Sequence, residues 1–356
     1  MSDPRHEKRT AANLCTCDGA TPAPASPASA SPNLAVPPDA VHVTGDARPD
    51  GSTALSVILL GTGAGPYPAP GRQGASTAVV VGDRTYLVDA GYGALRKYAQ
   101  AGLRLSDLRA VFLTHLHSDH TADLFNLFLL GWGPANHGVN QPVHIAGPGP
   151  DRTLPEHPQP GTEGLLTHLL AAFGQDAAVR MRTSARTPLT DLVRPHDLVS
   201  PPPGKDLLVY EDDRVRVTAR EVPHPPLHQS FGYRFETEEG VVAFSGDTAY
   251  SDSVGELAAG ADLLVHETME PDFYRGLGYS DRLLDFLSAS HTAPGDVGRL
   301  AAAAGARRVA LSHIGPPDPR EVGDEDWTRK VAATYTGPVV VGHDLTRLVP
   351  ARRTTS

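Results

Sequence analysis

Cysteine is almost missing from this 356-residue chain: Cys15 and Cys17 are the only two, and both precede the region whose composition is that of a folded domain. A disulfide-stapled core is excluded, and Cys15-Thr-Cys17, with no second pair nearby, reads as a tail with two thiols rather than half of a metal site. No stretch of about 20 apolar residues occurs, so no helical membrane span is expected. The first ten residues carry Arg5, Lys8 and Arg9 but are followed by no continuous apolar segment of the secretory kind, which points to a cytoplasmic protein. Clusters of Lys and Arg are lacking too. With 41 acidic and 31 basic residues the formal charge is −10, a balance that repels nucleic acid and anionic membrane.

What is present divides the chain in two. Residues 1–52 are rich in Ala, Pro, Ser and Thr and are expected to be a disordered leader, because they cannot bury enough apolar surface to fold. Residues 53–356 are expected to form one domain. It opens with a β-branched and leucine-rich run at 54–60 that stops at Gly61-Thr-Gly-Ala-Gly-Pro66. Strand runs at 77–81 and 85–89 flank Gly82-Asp83, a two-residue hairpin signal, and a helical stretch at 93–100 leads to another strand at 110–113. The second half alternates likewise, with strands at 214–222, 231–235, 241–244, 262–265 and 308–311. Such alternation predicts an α/β fold, an αββα sandwich with its site at one edge. Residues 151–205 differ: they are proline-rich, with one helix predicted over 162–173 from Leu165, Leu166, Leu169 and Leu170, and are expected to be a small inserted subdomain near the site.

Thr114-His-Leu-His-Ser-Asp-His120 packs three imidazoles and a carboxylate into six residues directly after a predicted strand. In extended backbone, side chains alternate with period two, so His115 and His117 point the same way and can share one cation. Asp119 and His120, beyond the bend, can face a second. Imidazole nitrogen and carboxylate oxygen both suit Zn²⁺, and three buried imidazoles beside a carboxylate need partners that a metal readily supplies.

His115-x-His-x-Asp-His120 resembles the signature of the metallo-β-lactamase superfamily, and further landmarks follow in the family's order. Asp89 in Tyr86-Leu-Val-Asp-Ala-Gly91 is similar to the first motif, with an implied role in orienting the metal loop. His224, Asp247 and His313 match the third, fourth and fifth motifs. The resemblance implies that His115, His117 and His224 hold one metal, that Asp119, His120 and His313 hold a second, and that Asp247 bridges the two Zn²⁺ or similar divalent ions. No glutamate stands at the loop position where the superfamily's iron oxidoreductases carry one. The long gap between His120 and His224, followed by Phe231-Gly-Tyr-Arg-Phe235, resembles instead the branch shared by ribonuclease Z and the metallo-type arylsulfatases. Val265-His-Glu-Thr268 and His291-Thr292 are similar to two further motifs of ribonuclease Z; they imply His291 as proton donor to the leaving group, with Glu267 orienting it. Thr292 could alternatively cap the Ala-rich helix that follows, leaving His291 idle. His228 lies out of register for a metal, and His137 is a candidate pocket wall.

Ribonuclease Z grips transfer RNA with a basic protruding arm between its second and third motifs, whereas residues 151–205 here hold six basic and six acidic residues. On that count nucleic acid is an unlikely partner. The expected activity is hydrolysis of a small-molecule ester (sulfate, phosphate, carboxylic ester or lactone), with a metal-bridging hydroxide as nucleophile and catalytic roles for Asp119, His291 and Glu267. A ribonuclease Z-like phosphodiesterase acting on RNA and a non-catalytic metal-containing binding module are the alternatives. No membrane partner is expected, and a homodimer is left open.

Overall fold

The computed structural model describes residues 40–42 and 55–350, apart from 134–137 and 154. Strands that are apolar on both faces set the architecture. Every position of β2 is buried, yet its side chains serve two different cores: Val57 and Leu59 enter one, Ile58 and Leu60 the other, as period-two alternation requires. A strand of that composition has to be covered on both sides.

The strands are β1 (Ala40–His42), β2 (Leu55–Gly61), β3 (Ser76–Val81), β4 (Arg84–Val88), β5 (Leu108–Phe112), β6 (Val143–Pro148), β7 (Val193–Leu198), β8 (Leu207–Glu211), β9 (Arg216–Glu221), β10 (Phe231–Glu236), β11 (Val241–Phe244), β12 (Leu263–Met269), β13 (Val309–Gly315), β14 (Val339–Val341) and β15 (Thr346–Leu348). They form an eight-stranded sheet in the order β1-β15-β2-β3-β4-β5-β6-β7 and a seven-stranded sheet in the order β14-β13-β12-β11-β10-β9-β8. Val57, Val79, Tyr86 and Phe112 of the first sheet meet Val217, Phe235, Phe244 and Val265 of the second, and the Phe112 ring lies 5.3 Å from that of Phe235. Helices Ala94–Gln100 and Leu124–Leu129 cover the outer face of the first sheet through Tyr98, Leu127 and Phe128. Helices Pro294–Ala304 and Asp324–Ala332 cover that of the second through Val297, Ala301, Trp327 and Val331. The layers are those of the expected αββα sandwich.

Two boundaries are corrected. Ala40–His42 pairs antiparallel with β15, so three residues of the expected leader belong to the first sheet; the rest of that leader, with Cys15 and Cys17, lies outside the described residues, as does His137. Residues 151–205 are not a separable insertion. Helices Gly161–Ala172 and Gly174–Ser184 form a crossover that returns as β7, which pairs in parallel with β6 along its whole length. Parallel strands need such a connection, and Leu166, Leu189 and Leu192 anchor it in the outer core. Among the described residues no helix is long and apolar enough to cross a membrane.

Candidate metal centre

Most of the chemistry-bearing residues gather at the carboxyl ends of strands that pair in parallel, Asp89 after β4, His115 to His120 after β5, Asp247 after β11 and His313 near the end of β13, while His224 follows the antiparallel β9. Asp89 follows β4 and takes the left-handed conformation, φ 59°, which few non-glycine residues adopt. That turn aims its carboxylate at the next strand's exit: Oδ1 accepts the backbone N–H of Thr114 (2.8 Å), and Oδ2 accepts the Thr114 hydroxyl (2.9 Å) and Nδ1–H of His120 (2.9 Å). With Nδ1 of His120 committed as donor, its Nε2 lone pair is left for a cation. Nδ1 of His224 likewise donates to the Ser290 carbonyl at 2.8 Å, freeing Nε2.

Two groups of donor atoms result. Nδ1 of His117 lies 2.9 Å from Nε2 of His115 and 3.4 Å from Nε2 of His224. Asp119 Oδ2 lies 3.4 Å from Nε2 of His313 and 3.6 Å from Nε2 of His120. Donors on one tetrahedral zinc, each about 2.0–2.1 Å from the ion, stand about 3.3 Å apart, so both groups have the spacing of a shared cation. Asp247 Oδ2 lies between them, 3.8 Å from Nε2 of His115, 3.3 Å from that of His120 and 3.2 Å from that of His313. His313 reaches this point because β13 bulges against β12 and His313 itself takes φ 45°. Strained backbone of that kind persists where the surroundings over-determine it.

The donor chemistry and the hydrogen-bonding deficits of this cluster fit divalent cations. Burial opposes a charge on His120, but the carboxylates of Asp247, Asp89 and Asp119 outweigh it and hold its pKa well above the usual imidazole value, so a cation at its Nε2 would take the place of a proton. Burial, then neighbouring imidazoles, pushes the pKa of His115 well down and that of His117 down to about 4, so both rings are neutral and their lone pairs available. His224 is lowered by burial as well. Burial opposes the charge on Asp119 and on Asp247, but the surrounding imidazoles outweigh it and hold both carboxyls below their usual range. Among the described residues Nε2 of His120 and Oδ1 of Asp247 are buried without a hydrogen-bond partner, a costly state for two polar atoms in one cluster. The geometry thus brings together all seven residues expected to ligate metal.

Beside the cluster, Glu267 Oε1 accepts Nδ1–H of His291 (3.2 Å) and the backbone N–H groups of Thr248 (3.1 Å) and Thr292 (3.2 Å). Burial works against a charged His291, yet Glu267 raises its pKa to about 9. The ring lies 5.1 Å from that of His224 and 5.8 Å from that of His313, overlooking both donor groups. Thr292 is no helix cap: its hydroxyl donates to the Thr248 carbonyl, and the next helix is capped by Ala293. His228 is exposed and ties its backbone N–H to Asp151, away from the donor set. Sequence reasoning missed Thr114, whose hydroxyl also lies 3.1 Å from Nδ1 of His115, although its place just before the motif marked it out. It also missed Ser290, which contributes a carbonyl and so leaves no trace in residue type.

The family model of the metallo-beta-lactamase superfamily matches residues 69–313. A protein named ribonuclease Z from Mycobacterium bovis is 34% identical over 306 residues, covering 83% of this chain and 98% of that one. The short form of human tRNase Z is similar in structure with a TM-score of 0.58 and 21% identity, covering 83% and 99% of the two chains. The protein YhfI from Bacillus subtilis follows at 0.56 and 21%, covering 83% and 98%. Relatives named for a ribonuclease overturn the expectation of a small-molecule ester partner with nucleic acid unlikely. The charge count behind it treated all six basic residues of 151–205 alike, whereas Arg180 bonds Asp176 and the Leu129 carbonyl and Arg186 covers Trp132, leaving Arg152, Arg182, Arg194 and Lys205 exposed. By the span of the family match and a third of residues shared along most of its length, the chain belongs to the metallo-beta-lactamase superfamily and is a metal-dependent hydrolase acting on ester bonds.

Proposed function

We propose that this chain is a ribonuclease Z-like phosphodiesterase that cleaves RNA at a two-zinc centre, a reading that also places it in the cytoplasm. The observation that carries it is the hydrogen-bonded pair His291 and Glu267 set against a seven-residue donor cluster, in a chain 34% identical to a ribonuclease Z. His115, His117 and His224 would hold one ion, Asp119, His120 and His313 the other, and Asp247 would lie between them. When bound, the ions supply Lewis acidity and lower the pKa of water, which matches the need to neutralise charge on a phosphodiester.

The rest falls to side chains. Asp89 and the Ser290 carbonyl fix two imidazoles in the tautomer that presents Nε2. Glu267 favours the protonated form of His291; with Nδ1 held by that carboxylate, Nε2–H is the group left to give a proton to the departing oxygen. Glu267 is itself fixed by two backbone N–H groups, so the pair keeps its geometry as the proton leaves.

The test is cleavage of a transcript containing a transfer RNA by the purified zinc-loaded chain, with and without chelator, beside an unstructured RNA. Chelator-sensitive cleavage of the transfer RNA transcript is expected. Intact RNA under conditions where a nitrophenyl phosphodiester is turned over would reject the RNA assignment while leaving the hydrolase in place.

A further inference from the structure

A buried network behind the cluster touches one half of it and not the other. Asp344 Oδ1 accepts the backbone N–H (3.1 Å) and the hydroxyl (3.0 Å) of Thr62, while Oδ2 accepts the N–H of Gln73 (2.9 Å) and pairs with Lys97 (3.1 Å). Arg72, wholly buried, donates through Nη1 to the Thr62 hydroxyl (2.8 Å) and to the Gly342 carbonyl. Desolvating a guanidinium is expensive, and its Nε and Nη2 have no partner among the described residues. An apolar residue would fill the space at lower cost, so the charge is retained for where it holds the loop of residues 61–74.

That loop reaches two of the proposed ligands. Thr62 accepts the N–H of Ile314 (2.9 Å) and Ala64 donates to the Ile314 carbonyl (3.1 Å), clasping the residue next to His313 on both sides. A Cβ on Gly65 would collide with the Asp119 carboxylate, and one on Gly74 would come within 2.9 Å of the Asp119 backbone oxygen, so the loop lies directly on Asp119. By contrast, His224 is fixed by the carbonyl of Ser290, whose hydroxyl donates to the Pro225 carbonyl (2.7 Å). Among the described residues no hydrogen bond or ion pair of Arg72 or Asp344 runs to that side or to His115 and His117.

From this we infer that Arg72 and Asp344 are positioning residues that act on the Asp119, His120 and His313 side of the centre, so that disturbing them weakens one cation more than the other. The inference rests on the two-metal reading above. Residues that orient ligands typically change metal affinity 10–100-fold, so loosening this loop should weaken one ion selectively.

The experiment is a Zn²⁺ titration against a chromophoric chelator, with bound metal counted by elemental analysis, on full-length wild type, Arg72→Met and Asp344→Asn. The metal-free melting temperature is recorded alongside. Wild type is expected to bind two equivalents; each variant should keep one at unchanged affinity and hold the second roughly 10–100-fold more weakly. If Arg72→Met does not fold, Asp344→Asn decides alone, because it keeps the side chain's size. Fewer than two equivalents in wild type would remove the two-metal reading itself. Two in wild type, with both affinities unchanged or both falling together in a folded variant, would overturn only the selective role of Arg72 and Asp344, since a generally destabilised protein loses both alike.

Discussion

At the scale of single residues, His291 is the most informative side chain, because its proton matters only for some leaving groups. His291→Ala should retain both metals and lose roughly 10²–10⁴-fold in turnover on RNA, whose departing oxygen needs a proton. On a nitrophenyl phosphodiester, whose leaving group departs as a stable anion, the same variant should be close to wild type. Equal impairment on both substrates, or loss of metal, would take His291 out of the proton-donor role. Residue identity carried this much because the site is written in short motifs, His115 to His120 in six positions and His291 beside Thr292. Ser290 was illegible for the opposite reason: it acts through a carbonyl that every residue possesses.

At the scale of elements, short β-branched and leucine-rich runs bounded by turn residues were legible nearly to the residue. The run predicted at 54–60 is Leu55–Gly61, that at 77–81 is Ser76–Val81, and the hairpin between β3 and β4 turns at Gly82 with φ 59°. The helix predicted over 162–173 is Gly161–Ala172, but its role was misjudged. Proline-rich flanks suggested a body set apart, whereas pairing of Val193–Leu198 with β6 depends on a partner some 50 residues away that no local pattern names. Leu166, 1% exposed in the core of the first sheet's outer face, separates the two views. Leu166→Ala should cost about 2–5 kcal/mol in urea unfolding, the range for a cavity in a packed interior. A loss well under 1 kcal/mol would mean that the crossover is no part of that core.

At the scale of the whole molecule, the donor cluster joins residues from the exits of both sheets, so cations bound there should brace the folded state against the unfolded one. Chelation is expected to lower the melting temperature. Free zinc at a hundred times its dissociation constant contributes about 2.7 kcal/mol per site, worth roughly 4 °C for a domain of this size. A scan unchanged by chelator, on protein shown to have held metal, would argue that the ions do not link the sheets. The sequence alone determined the donor chemistry, the αββα layering and the order of the motifs, because ligand type, alternation and turn residues are local properties. Only the tertiary structure decided the distances at which those donors stand, that residues 151–205 complete a sheet, and that Arg72 and Asp344 lie behind one half of the centre. Those facts are contacts across as many as 282 positions of chain, such as Thr62 to Asp344, and such contacts exist only once the two sheets have closed on a common core.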